Sequence, residues 1–136
     1  MTRHIDLPGS RWNRVVPAPT DDPNLSAFAR SHDLFGDGSL VLVPTPGHTP
    51  GSMSLRVRQA GHPPLLMVGD LTYDGHVFED GHVPGVGSRR RLREATAMVN
   101  KMREHMPDLV ILAAHDPGAA DRLNKSNGQA PATLAG

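Results

Sequence analysis

Leu40-Val41-Leu42-Val43-Pro44-Thr45-Pro46-Gly47-His48-Thr49-Pro50-Gly51-Ser52 is the stretch that decides how this chain folds. Its first four residues form a short continuous apolar run, the pattern of a strand buried on both faces. The run ends in a loop stiffened by Pro44, Pro46 and Pro50 and opened to close backbone approach by Gly47 and Gly51, with His48 at its centre. Downstream, Met53, Leu55 and Val57 alternate with Ser54, Arg56 and Arg58, which predicts a half-exposed strand. Gly61-His62-Pro63-Pro64 turns the chain into Leu65-Leu66-Met67-Val68, a second strand of the buried type, which stops at Gly69-Asp70. A long loop covers residues 71–87.

Ser88 is the expected N-cap of the one long helix, which runs to about Met106 before Pro107. Leu92, Ala95, Val99, Met102 and Met106 fall at steps of three and four and give it a single apolar stripe. Residues 109–113 read as a third buried strand, followed by His115. Asp116-Pro117 fits an N-cap and first helical position, opening a short helix to about Leu123. Upstream, prolines and glycines interrupt every period in residues 1–38, so that segment is expected to be irregular, with one helical turn over 25–30. The expected organisation is therefore an irregular segment, 1–38, in the same domain as a structured part, 39–123, and a flexible tail, 124–136.

The bulk composition narrows the function classes. With 136 residues the chain makes one domain or part of one, and its 14 basic and 14 acidic side chains cancel. No basic field for nucleic acid or an anionic membrane follows from such a balance. Without cysteine, any metal must be held by histidines and carboxylates. There is no apolar leader at the start and no apolar run of membrane-spanning length, so a soluble, cytoplasmic protein is the expectation.

Three polar residues stand directly after the three predicted buried strands: His48, Asp70 and His115. In α/β architectures, sites form beyond strand ends, where loops converge on one edge of a rigid sheet. Imidazole and carboxylate ligands suit Zn²⁺ and similar ions. Singly, each residue reads more readily as a structural histidine or a turn; their order and loop chemistry together favour a metal.

Thr45-Pro46-Gly47-His48-Thr49-Pro50-Gly51-Ser52 resembles the third metal motif of the metallo-β-lactamase superfamily. Gly69-Asp70, 22 residues after His48, is similar to the bridging-aspartate motif, and Ala114-His115-Asp116, 45 residues after Asp70, to the terminal histidine motif. The resemblance covers residues 39–123 and implies an α/β (α+β) fold, the C-terminal half of an αββα sandwich. It implies that His48 binds one metal, His115 the second, and Asp70 both. Tyr73, three residues after Asp70, sits where N-acyl-homoserine lactonases carry a tyrosine that polarises the substrate oxygen; packing of its ring in the loop is an equal reading. Asp70 and Tyr73 are thus the expected catalytic residues, and His48, Asp70 and His115 the expected metal ligands. The implied chemistry is lactone or ester hydrolysis by a hydroxide shared between two Zn²⁺ ions.

One departure is large. The family takes its other ligands from an earlier His-x-His-x-Asp-His motif, which this sequence lacks; His4-Ile5-Asp6 is the nearest fragment, and His4 reads as a loop residue. Catalytic zinc usually has three protein ligands and a water, so binding here is expected to be weak or partial and the chain alone inactive. A gene fragment, a late start and a true half-domain are all compatible with this. The alternative function is a non-catalytic half-domain that self-associates or binds a partner, with a homodimer through an uncovered sheet face as one form; an unrelated small α/β protein is a third reading. Of the remaining histidines, His62 and His105 read as exposed and His32 as part of the irregular segment. His76 and His82 lie in the loop over the site, where a substrate or supporting role is open. Arg89-Arg90-Arg91 with Arg93 reads as a solvated helix face. Asp116 reads first as an N-cap and second as an orienter of His115.

Overall fold

The computed structural model describes residues 8–9, 11, 13–75 and 83–128. Six strands form one sheet in sequential order: β1 (Ala18–Pro19), β2 (Arg30–Asp33), β3 (Leu40–Pro44), β4 (Met53–Val57), β5 (Leu65–Gly69) and β6 (Val110–Ala113). All neighbours are antiparallel except β5 and β6, which are parallel and joined by the crossover that contains helix α1 (Arg89–His105). A shorter helix, α2 (Ala119–Ser126), returns against β6. The result is the mixed α/β fold expected. Because β3, β5 and β6 run in the same sense, their C-terminal ends, and the loops that follow them, lie along one edge of the sheet.

The register sorts the sheet's two faces. Val41, Arg56, Leu66 and Ile111 form one cross-strand row, joined by Val43, Ser54, Val68 and Ala113, and all are buried. This face packs with the stripe Leu92, Ala95, Val99 and Met102 of α1 into a single core. On the other face Leu42, Leu55, Met67 and Leu112 share a row; the first two and Leu112 are half-buried, and Met67 is 48% exposed. The strands at 40–43 and 65–68 are therefore buried on one face only. Their second apolar face is more open: the buried stripe of α1 joins the core on the first face, and α2 buries no residue of its own.

The polarity of β4 is the reverse of what its alternation suggests. Ser54 and Arg56 point into the core, while Met53, Leu55 and Val57 take the half-buried side. The buried polar groups are paired: Ser54 Oγ lies 2.8 Å from Thr45 Oγ1, and Arg56 Nη1 lies 3.2 Å from Asp22 Oδ2 while its Nη2 donates to Gly38 O.

That pairing also explains the segment before residue 39, which is less irregular than its prolines and glycines suggest. It contributes β1, β2 and a 3₁₀ turn, Pro23–Leu25, in place of the turn expected over 25–30. Asp22 caps that turn, accepting from Asn24 N–H, and Leu25 and Phe28 are buried in the core. Ser88 caps α1 as expected, accepting from Arg91 N–H, and the helix stops at His105 ahead of Pro107. The short helix starts later than predicted, at Ala119 with Gly118 as its cap residue, and extends to Ser126, past the expected end at Leu123 and into the expected tail. Gly118, not Asp116, holds the cap position, although Asp116 Oδ1 still accepts from Gly118 N–H at the entry to the helix. Among the described residues, no helix is long and apolar enough to cross a membrane.

Candidate metal centre

Each of the three predicted ligands is placed by backbone hydrogen bonds that the local sequence makes available. The loop after β3 closes on itself: Thr45 N–H donates to Ser52 O, Gly47 N–H to Thr49 O, and Thr49 N–H to Ser52 Oγ. Its outer wall is the start of α1, where Ser88 N–H donates to Gly47 O. A side chain at Gly47 would sit 2.9 Å from Leu92 N, and one at Gly87 2.3 Å from Gly47 O, with Gly87 at φ +96. Glycine is required at both positions, and the close packing it permits holds His48 over the sheet edge.

Asp70 and His115 follow from the parallel pairing of β5 and β6. Gly69 is in register with Ala113, and Ala114 N–H donates to Gly69 O, so the next residues of both strands emerge side by side. Leu71 and Thr72 are buried immediately after Asp70, which leaves Asp70 and Tyr73 facing outward. Asp116 then ties the two loops together: it accepts from Gly75 N–H at 2.7 Å and Gly118 N–H at 2.8 Å, and it pairs with Arg122. Burial opposes ionisation of Asp116, but the hydrogen bonds from Gly75, Arg122 and Gly118 outweigh it and hold the carboxyl below its ordinary value.

The three predicted residues come together. His48 Nε2 lies 3.6 Å from Asp70 Oδ2, and His115 Nε2 lies 3.1 Å from Asp70 Oδ1. The second approach is close without being a hydrogen bond: Oδ1 is buried and has no hydrogen-bond partner, nor has the buried Nδ1 of His48. Tyr73 meets the His115 ring edge-on, with centroids 5.5 Å apart. His115 is 68% exposed, so the site is open on that side.

The donor set fits a divalent metal in kind and in spacing, and falls short in number. Two ligands at about 2.0–2.1 Å from a tetrahedral zinc stand roughly 3.3 Å apart, and the two His–Asp separations bracket that value. The imidazoles address different oxygens of Asp70, however, so two metal positions would each see two ligands. Among the described residues, no group of three His, Cys, Asp or Glu side chains closes as a metal cage. His76 and His82 lie outside the described residues. His62 is exposed and near Asn127, His105 is bonded to Lys101 O, His32 lies within β2, and the arginines from 89 to 93 are exposed, as their sequence context suggests. What the sequence reading missed is Arg122, whose partnership with Asp116 spans six residues and follows no helical spacing.

The sheet presents His48, Asp70 and His115 along one edge, in that order. The chain resembles part of the lactonase-like branch of the metallo-β-lactamase fold, over less than half the length of its relatives. It is similar to the N-acyl homoserine lactonase AttM of Rhizobium radiobacter, with 30% identity over 126 residues, covering 91% of this chain and 44% of the relative. A probable metallo-hydrolase of Mycobacterium bovis is 40% identical over 103 residues, covering 67% of this chain and 32% of the relative. Among solved structures, an N-acyl homoserine lactone hydrolase with N-hexanoyl-L-homoserine bound at its metal centre aligns with a TM-score of 0.56 at 24% identity, over 64% of this chain and 34% of that one. The chain spans less than half the length of the curated relatives it matches. No protein-family profile matches it.

Proposed function

We propose that this chain forms one side of a dinuclear metal site for lactone hydrolysis, with His48 and His115 each holding one metal and Asp70 holding both. The observation that carries this reading is the carboxylate of Asp70 standing between two imidazole Nε2 atoms, one near each oxygen, at ligand-to-ligand spacing. When bound, Zn²⁺ or a similar ion supplies Lewis acidity and lowers the pKa of water toward neutrality. The chain's own residues orient that chemistry: the packed loop fixes His48, the parallel strands fix Asp70 beside His115, and Tyr73 offers a phenolic O–H to an oxygen gaining charge. An N-acyl homoserine lactone is the substrate class that the relatives' names favour. The open apolar row with Met67 favours a second reading, a binding half-domain that uses this face without catalysis.

Calorimetric titration with Zn²⁺ tests the first reading. Binding is expected, and Asp70→Asn should weaken it at least about tenfold, since one substitution removes a ligand from both positions. Zn²⁺ binding that is absent, or indifferent to Asp70, refutes the metal site and leaves the binding half-domain. Hydrolysis of an N-acyl homoserine lactone by the chain alone should be undetectable; turnover of roughly tens per second, that of ordinary enzymes, would show that two ligands per metal suffice.

A further inference from the structure

The Asp70–Tyr73 loop and the turn carrying His115 belong to different strands, and a buried carboxylate, Asp116, ties them together beyond the strand pairing. Asp116 Oδ2 accepts from Gly75 N–H, its Oδ1 accepts from Gly118 N–H, and its carboxylate pairs with Arg122. Arg122 is itself anchored, donating through Nε to Ile111 O at 3.3 Å on β6. The flanking glycines leave room for this arrangement. A side chain at Gly75 would meet Arg122 Nη2 at 2.6 Å and Asp116 Oδ2 at 3.0 Å, and one at Gly118 would meet Arg122 Nη1 at 3.1 Å. Asp116 Oδ2 is held by Gly75 N–H and Arg122, and Arg122 is held by that carboxylate and, through Nε, by Ile111 O, while its Nη1 has no partner.

We infer that Asp116, braced by Arg122, is a positioning residue that sets Asp70 and Tyr73 at their distance from His115. This rests on the metal reading for its consequence, and on the present geometry alone for its structural content. The loop from Asp70 to Gly75 is anchored at its start by β5 and at its far end by the Asp116 clamp. Release of the far end frees Tyr73 to leave the His115 ring and lets Asp70 rotate away from Nε2. A carboxylate is needed: an amide at this position would turn a donor either toward Gly75 N–H and Arg122 or toward Gly118 N–H.

The test uses the whole chain, isotope-labelled, in wild-type form and as Asp116→Ala, Gly75→Ala and Arg122→Lys. Two readouts are compared: nuclear Overhauser contacts between the Tyr73 and His115 rings, and the Zn²⁺ dissociation constant. Asp116→Ala and Gly75→Ala should lose the ring contacts and weaken Zn²⁺ binding about tenfold or more, with the methyl resonances of Leu66, Val99 and Ile111 unmoved. Arg122→Lys, which keeps the charge, should retain the contacts. Should Asp116→Ala fail to fold, Gly75→Ala carries the same test, since it displaces the clamp without removing a buried charge. Ring contacts retained in the folded variants overturn the inference. If the wild-type chain binds no Zn²⁺, the metal reading falls while the ring contacts still decide the positioning role.

Discussion

Removing Asp22 should cost far more than removing the arginine it neutralises. Arg56 lies in the core-facing row of the sheet with only 1% of its side chain exposed, between Val41 and Leu66. Its charge is met by Asp22 at 3.2 Å and by Gly38 O, while its Nε has no partner. Asp22→Ala leaves the guanidinium buried with a single acceptor, a change that costs about 3–5 kcal/mol for a fully buried pair. Asp22 is partly reached by solvent, which lowers the expected loss to about 2–4 kcal/mol, including about 0.5 kcal/mol or more from the lost cap of the 3₁₀ turn. In Arg56→Met the apolar side chain fills a similar volume and the stranded Asp22 can turn to water, so the change should lie within about 1 kcal/mol of zero. Urea unfolding followed by far-ultraviolet circular dichroism reads both. With a slope of roughly 1–3 kcal/mol per molar urea, Asp22→Ala should lower the midpoint by about 1 M or more, and Arg56→Met should barely move it. Equal losses in the two variants, or a larger one for Arg56→Met, would refute the argument that burial of an unpaired charge dominates here.

Three further outcomes follow from the same geometry. Gly87→Ala places a methyl group against Gly47 O at a positive φ and should weaken Zn²⁺ binding at the His48 position while costing about 1–3 kcal/mol of stability, both read by titration and thermal unfolding. Met67→Lys, on the open sheet face, should reduce concentration-dependent association in sedimentation velocity and change stability by no more than about 0.5 kcal/mol. The carboxyl of Asp116 is held below its ordinary value in the fold, so its contribution to stability is fully present above the unfolded value of about 3.9 and is lost as pH falls through the lower folded value. The stability gap between wild type and Asp116→Asn should therefore be constant above about pH 5 and close progressively below about pH 4.

Much of the fold was legible because it is written in local patterns. The apolar runs at 40–43 and 65–68, the helical stripe from Leu92 to Met102 and the cap at Ser88 each depend on neighbours in sequence, and each is where it was expected. The inversion of β4 was not legible. Period two says only that alternate residues share a face, and the apolar set Met53, Leu55 and Val57 looks like the core set unless Asp22 is known to await Arg56 inside. Residues 18–33 were hidden for a related reason: β1 and β2 are two and four residues long and exist by pairing along the sheet, so no period within them announces a strand. The convergence of His48, Asp70 and His115 could be read from their placement after strands, since strands of the same sense deliver their loops to one edge. The Asp-Pro signal at Asp116 was only half the story: one oxygen accepts from Gly118 N–H just before the helix, while the partners of the other, Gly75 and Arg122, are 41 residues upstream and six downstream.

The proposed metal centre depends on His48 and His115 acting as ligands that share Asp70. Long-range ¹⁵N–¹H spectra of the imidazole rings, recorded as Zn²⁺ is added, address this most directly, because each histidine reports its own ring nitrogens. The Nε2 resonances of His48 and His115 should move on metal addition while those of His32, His62 and His105 stay, and Asp70→Asn should abolish both shifts. Shifts confined to the other histidines, or an unchanged response in Asp70→Asn, would contradict the shared site.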